Sequence, residues 1–292
     1  MVYVNLYGNL GNLLFQYAAA LSHGDGVPVG VTSSEKTVAA LREYADVFGD
    51  LRVVHAAPVS ARVLRQHKFD FLEIPSSAAE DILLDGYFQS ERYFNRERVF
   101  AALKPSEARV AALRGRYGDW LGRPNVTGVS VRRGDYLAKA DLHPFVGERY
   151  FRDCLAKLPE ARDFIVCSDD IPWCKSFFPR AFPDRRFLFV ENAGVLDQLY
   201  VHTLCANNVV SNSSFSWWGA WLANARRRRE GSAGRVLAPS MWYGFAFGGQ
   251  GGDWGGIYFD GMEIVRNGYS PSLWLNARWT RLRNKLARRL GR

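Results

Sequence analysis

Three short apolar runs in the second half of the chain each stop abruptly in polar residues. They are VTGVSV (126–131) before Arg132-Arg133, DFIVCSDD (163–170), and ANNVVSNSS (206–214). Segments of helical character lie between them, GERYFRDCLAKL (147–158) and LDQLYVHTLCAN (196–207). The opening has the same rhythm: VYVNLY, then GNLGN, then LLFQYAAALSHGDG, where glycines end the helical stretch. Short apolar strands alternating with helices close as parallel sheets, because each crossover helix covers the strands it connects. The pattern predicts an α/β fold. In open parallel sheets, ligands collect outside the carboxyl ends of the strands. Arg132-Arg133, Asp169-Asp170 and the serine-rich 211–214 are therefore expected to meet at one sheet edge as one site.

A chain of 292 residues suits one large α/β domain or two smaller ones. The Gly/Pro-punctuated RGRYGDWLGRPN (114–125) is the best boundary, giving an N-terminal domain over 1–122 and a second over 123–272. FGGQGGDWGG (247–256) reads as a surface loop, and no internal repeat is visible. A hydrophobic content of 48% with 14% aromatics excludes a disordered chain. No apolar run reaches the ~20 residues that span a bilayer. The N-terminus lacks the basic and apolar regions of a signal peptide, and four cysteines without C-x-x-C spacing read as reduced thiols. A cytoplasmic protein is expected.

The net charge of +9 invites a nucleic-acid reading, but its location argues against one. Residues 273–292 hold six arginines and one lysine with no acid, leaving 31 bases against 29 acids in the body. Basicity confined to one segment is a weak footprint for nucleic acid, and no nucleic-acid partner is expected. In that segment Leu275, Trp279, Leu282, Leu286 and Leu290 fall on one helical stripe, with basic residues over much of the remainder. Two readings stay open for this amphipathic helix. It docks peripherally on an anionic membrane surface, or its stripe packs against the N-terminal domain.

Guanidinium groups bind phosphate oxygens bidentately and stay protonated, so Arg132 and Arg133 suit a diphosphate. A structural ion pair with Asp135 is the plain alternative. In SNSSFSWWGAWLANA (211–225) a strand yields to serines and then an aromatic helix. Helix starts of this kind cap themselves and attract phosphate, which favours the hydroxyls of Ser213 and Ser214 as ligands. Trp217, Trp218 and Trp221 read as core. GNLGN (8–12) matches neither dinucleotide nor P-loop patterns; Gly8 and Gly11 permit close backbone approach and Asn12 adds a donor and an acceptor. Asp169-Asp170 reads as a helix cap before IPWCKSFF. With no D-x-D, H-E-x-x-H or His/Cys cluster, no metal is expected.

Taken in order, GNLGNLLFQYA (8–18), DGYFQSERYF (85–94), SVRRGDY (130–136), HPFVGERYF (143–151), FIVCSDD (164–170), SNSSFSWWGAWL (211–222) and LAPSMW (237–242) resemble the α-1,2-fucosyltransferases of glycosyltransferase family 11. The resemblance covers roughly 1–245. It implies a GT-B-like fold of two facing Rossmann-type domains. It also implies inverting, metal-independent transfer of L-fucose from GDP-β-L-fucose to a hydroxyl of a glycan acceptor, α-1,2 to a galactose-type sugar. No cofactor is implied beyond the GDP-fucose donor.

By the same resemblance, Arg132 is expected on the diphosphate with Arg133 beside it. Asn12 would face the donor, Ser213, Ser214 and Phe215 would lie near the phosphates, and Asp197 is the candidate for the guanine edge. Asp135, Asp141 and His143 are candidates for a general base, and the choice stays open. The family's His-x-Arg-Arg-Gly-Asp-Tyr has Ser130 at its first position here, so a different nucleotide sugar remains the alternative, as does a non-enzymatic basic binding module.

Overall fold

In a computed structural model, the described residues are 1–267 apart from 25, 27, 59, 76–79, 145 and 245–253, together with 272, 275, 278, 279, 282 and 283. The chain divides into two compact units. The first takes Met1–Ser106 and 252–260, and the second takes the rest from Glu107.

In the first unit the order is β1 (Val2–Asn5), α1 (Leu10–His23), β2 (Val29–Val31), α2 (Glu35–Glu43), α3 (Ala45–Phe48), β3 (Arg52–Val54), β4 (Arg62–Arg65), β5 (Ile82–Asp85) and α4 (Arg96–Leu103). The strands form an all-parallel sheet in the order β3-β2-β1-β5-β4. The expected helix after the first strand is α1, ended at Gly24. Its run of Phe15, Ala18, Ala19 and Ala20 is fully buried. Ser34 caps α2 by accepting the Thr37 amide.

The second unit runs through α5 (Glu107–Leu121), β6 (Thr127–Val131), α6 (Gly134–Ala138), α7 (Glu148–Ala156), β7 (Asp163–Ser168), α8 (Ile171–Ala181), β8 (Arg186–Phe189), α9 (Val195–Leu204), β9 (Asn207–Val209), α10 (Ser214–Glu230), β10 (Val236–Pro239) and β11 (Met262–Val265). Its sheet is also all parallel, ordered β11-β10-β9-β6-β7-β8. All five residues of β6 are buried, as a strand covered on both faces should be. On one face Val129, Val131 and Phe164 pack with Phe151 of α7 and Phe177 of α8. Facing the other side of the strand, Gly128 lies against His202 of α9, whose Nδ1 would be 2.5 Å from an added Cβ.

The tryptophans of α10 take the core role expected of them. Trp217, Trp218 and Trp221 are all fully buried, and Trp217 and Trp221 stack with 8° between their planes. Each removes on the order of 200 Å² from water, roughly 5 kcal/mol of transfer free energy before entropy is subtracted.

The sequence puts the division at 122/123, whereas the two units part at Ser106/Glu107. A helix, α5, runs through most of the Gly/Pro-punctuated stretch, with a kink at Tyr117 (φ −125°, ψ 16°). Gly115 and Gly118 face open space, where glycine costs a helix little beyond propensity. The helix and its end are tied into the second unit by Arg109–Asp197 at 2.7 Å and Arg123–Asp163 at 2.6 Å, and by Arg116, which donates to the carbonyls of Glu191 and Asn192. Most of the glycine-rich 247–256 lies outside the described residues; 254–257 form a short 3₁₀ turn.

Candidate active site

The strand order of the second sheet decides where its site can be. β6, β7 and β8 build outward in one direction, and the chain then returns to lay β9 on the other side of β6. The order therefore reverses between β6 and β9, and the crevice at such a reversal is where open α/β sheets bind ligands. Arg132-Arg133 follow β6, Asp169-Asp170 follow β7, and 210–213 follow β9. The three polar clusters expected at one edge do meet there.

Their contacts are specific. The Arg132 guanidinium donates to Asp135 Oδ1 at 2.7 Å and pairs with Asp169 Oδ2 at 3.2 Å, and its side chain stays one-third exposed (33%). The Arg133 amide donates to the same Asp169 carboxylate at 2.8 Å. The Arg133 side chain pairs with Asp170 at 3.5 Å and lies over the Trp173 ring, 5.0 Å from its centroid. Asp170 is the helix cap the sequence suggests, accepting the Trp173 amide at the start of α8. Asp169 is not a cap but the common acceptor for both arginines. Its partners lie in another strand–helix connection, so adjacency in sequence could not reveal this.

Asp135 also holds Lys139 at 3.0 Å. Burial alone would raise its carboxyl, but the Lys139 and Arg132 charges outweigh that and hold it below the usual carboxylate range. As a base it is ionised yet weakly basic, and it forms the ion pair with Arg132 that the plain alternative describes. His143 stacks on Tyr136 with centroids 4.5 Å apart and 14° between planes. Burial, ahead of the nearby charges, pushes its imidazole down to about 4, so it is neutral at pH 7. Asp141 is buried (5% exposed).

Tyr136, which the sequence reading passed over, joins the two sides of the crevice. Its hydroxyl donates to the Asn212 carbonyl at 3.2 Å. The loop beyond it is pinned from below as well. Tyr150 donates to the Val210 carbonyl at 2.6 Å, Asn212 Nδ2 to the Trp242 carbonyl at 3.0 Å, and Ser216 Oγ to the Ser211 and Ser213 carbonyls, both at 2.9 Å. Ser213 makes no side-chain capping bond to α10. Ser214 and the half-buried Phe215 open the first turn of this 17-residue helix, whose N-terminus carries the partial positive charge that favours an anion.

The remaining expected residues sit elsewhere. Asp197 opens α9 and is engaged by Arg109 of α5, a partner 88 residues away that no local pattern reveals. Asn12 lies in α1 of the first unit and accepts from Gln89 at 2.8 Å. Gly8 takes φ +95°, and an added Cβ there would lie 2.6 Å from Asn12 Nδ2. The glycine therefore makes room for the asparagine side chain. All four cysteines are free and buried. Among the described residues, no group of three or more His, Cys, Asp or Glu side chains could hold a metal ion, and no helix is long and apolar enough to cross a membrane.

A sequence model of glycosyl transferase family 11 matches residues 50–228, a span that includes both arginines and the start of α10. The chain belongs to glycosyl transferase family 11. This makes it an enzyme, a glycosyltransferase, and removes the non-enzymatic alternative. Similar curated proteins include an alpha-1,2-colitosyltransferase of Escherichia coli, 26% identical over 83% of this chain and 92% of that one. A galactoside alpha-(1,2)-fucosyltransferase 1 of Bos taurus is 31% identical over 35% of this chain and 31% of its own. Solved structures similar to this family 11 chain include the fucosyltransferase NodZ from Bradyrhizobium (14% identity, 75% and 91% of the two chains, TM-score 0.47). POFUT1 in complex with GDP-fucose is another (11% identity, 80% and 96%, TM-score 0.43).

Proposed function

We propose that the enzyme transfers L-fucose from GDP-β-L-fucose to a hydroxyl of a glycan acceptor, with inversion to an α-1,2 linkage and without a metal. The observation that carries this reading is the pairing of two arginines with a helix N-terminus at the strand-order reversal of the second sheet. As the glycosidic bond breaks, the sugar ring becomes cation-like and negative charge builds on the β-phosphate. Fixed donors aimed at that charge bind the transition state more tightly than the ground state, which is what lowers a barrier.

Arg132 can meet this need because its guanidinium is reachable, but a diphosphate must compete with Asp135 for it. That exchange swaps one anionic acceptor for another and leaves the arginine paired throughout. Asp169 holds the Arg133 amide and one side of Arg132 meanwhile, so the cradle keeps its shape. Neutral His143, held against Tyr136, is the better placed of the base candidates in protonation state. With a loose, cation-like transition state, little proton abstraction is needed before the bond to the leaving group is broken.

The test is Arg132→Lys, which keeps the charge and loses the planar fork. Turnover is expected to fall by ~10³-fold or more, the range seen for arginines serving transferred phosphoryl groups, with little change in melting temperature. Near-wild-type turnover would overturn the assignment.

A second reading concerns the sugar. Ser130, buried at the end of β6, stands where the family resemblance places a histidine, and the relative matched over most of its length is a colitosyltransferase. Assaying the GDP-linked forms of fucose and colitose side by side separates the two donors. Stabilisation by GDP but not UDP supports both readings against any uridine-linked sugar.

A further inference from the structure

The site leaves one charged feature unused. Of the residues described beyond position 271, Ser272, Leu275, Arg278, Trp279, Leu282 and Arg283 are all helical and all exposed. Leu275, Trp279 and Leu282 are 49%, 72% and 47% exposed, large apolar side chains left facing solvent. At about 100° per residue these three fall within roughly 60° of one another around the helix, while Arg278 and Arg283 fall on either shoulder of the stripe. The packing alternative for this stripe therefore finds no support at the described positions.

The choice of partner follows from charge and shape. Residues 273–292 carry seven bases and no acid. A stripe of leucines flanking a tryptophan gives nothing to a polynucleotide backbone. A protein partner would have to supply an apolar groove with an acidic rim on both sides. An anionic bilayer supplies both requirements together. Leu275 and Leu282 reach the acyl boundary, Trp279 sits at the headgroup level its amphipathic ring favours, and the shoulder arginines meet lipid phosphates.

We propose that this helix docks the enzyme on an anionic membrane surface, lying in the interface plane with its Leu275–Trp279–Leu282 face buried. Sequence outside the described residues continues the same spacing with Leu286 and Leu290 and the same charge with Lys285, Arg288 and Arg289. The proposal does not depend on which sugar is transferred.

The test is co-sedimentation of the full chain with vesicles of phosphatidylcholine alone and of phosphatidylcholine mixed with phosphatidylglycerol. Partition onto the anionic vesicles is expected to be at least about tenfold greater and to weaken with salt. The variant Leu275→Ser/Trp279→Ser/Leu282→Ser is expected to lose the binding while keeping the wild-type circular dichroism spectrum and melting temperature. Its failure to fold would leave Arg278→Glu/Arg283→Glu to report the electrostatic half by the same assay. No binding to either vesicle, equal binding to both, undiminished binding by the folded variants, or equal retention on RNA would each overturn the proposal. So would concentration-dependent self-association that the triple variant abolishes in the absence of vesicles.

Discussion

Tyr136 and His202 show how single side chains set the two halves of this enzyme's behaviour. Removing the Tyr136 hydroxyl takes away the bond to the Asn212 carbonyl. Tyr136→Phe should cost only about 1 kcal/mol of stability, yet raise KM for the nucleotide sugar several-fold, because the start of α10 loses its anchor. Steady-state kinetics and a melting curve on the same sample separate the two effects, and an unchanged KM would show that the loop is held without it. His202 is buried (2% exposed), its Nε2 has no hydrogen-bond partner, and burial pushes its imidazole from the ordinary 6.5 down to about 4. The folded protein keeps it neutral while the unfolded chain protonates it below 6.5. Its contribution is therefore complete above pH 6.5 and is lost as pH falls from 6.5 towards 4, by up to roughly 3 kcal/mol. His202→Asn should flatten the dependence of melting temperature on pH across that window, and an unflattened profile would place the acid sensitivity elsewhere. Arg132, Arg133 and Ser213 stand out in the sequence because their chemistry is unusual at strand ends. Tyr136 does not, being an ordinary motif aromatic until its partner 76 residues away is placed, and neither does His202.

Between elements, close approach matters more than composition. α6 begins at Gly134, where an added Cβ would sit 2.8 Å from Asp169 Oδ2. Gly134→Ala should therefore push Asp169 off the two arginines, lowering turnover by about tenfold or more if each weakened charge-assisted bond is worth ~1.5 kcal/mol. Circular dichroism should change little, and retained turnover would mean that the carboxylate can shift without cost. The elements themselves were legible. Apolar strands and glycine-ended helices predict α1, α7 and α9 within a few residues, and the tryptophans of α10 go to the core. What was illegible came from pairings across the fold. RGRYGDWLGRPN has the composition of a linker but is mostly helix, its Arg116 and Arg123 finding carbonyls and an acid elsewhere in the second unit. Arg227 is a second example. Within a run of four arginines that reads as a solvated helix end, it is 2% exposed and donates to the carbonyls of Cys205 and Ala206 and to Asn208 Oδ1. Burial lowers its guanidinium to about 10.

For the whole molecule, the fold class followed from the alternation of strand and helix, whereas the boundary read from the Gly/Pro stretch falls inside the second unit. Hydrogen exchange with and without GDP is the matching measurement. Protection is expected at 131–136 and 211–217, with none over α2, whose residues belong to the first unit. Protection absent at 131–136 would detach the arginines from the nucleotide. The parallel order β9-β6-β7 carries one more consequence. Because β9 must return past β6 before Asn212 can meet Tyr136, the crevice joins stretches of chain that are synthesised far apart and close late, as long loops of parallel sheets do. A chain still emerging from the ribosome at Ser168 already possesses its arginines but not the second wall beside them. A ligand that needs both walls of this crevice is therefore held only once the chain has been made through β9 and the start of α10.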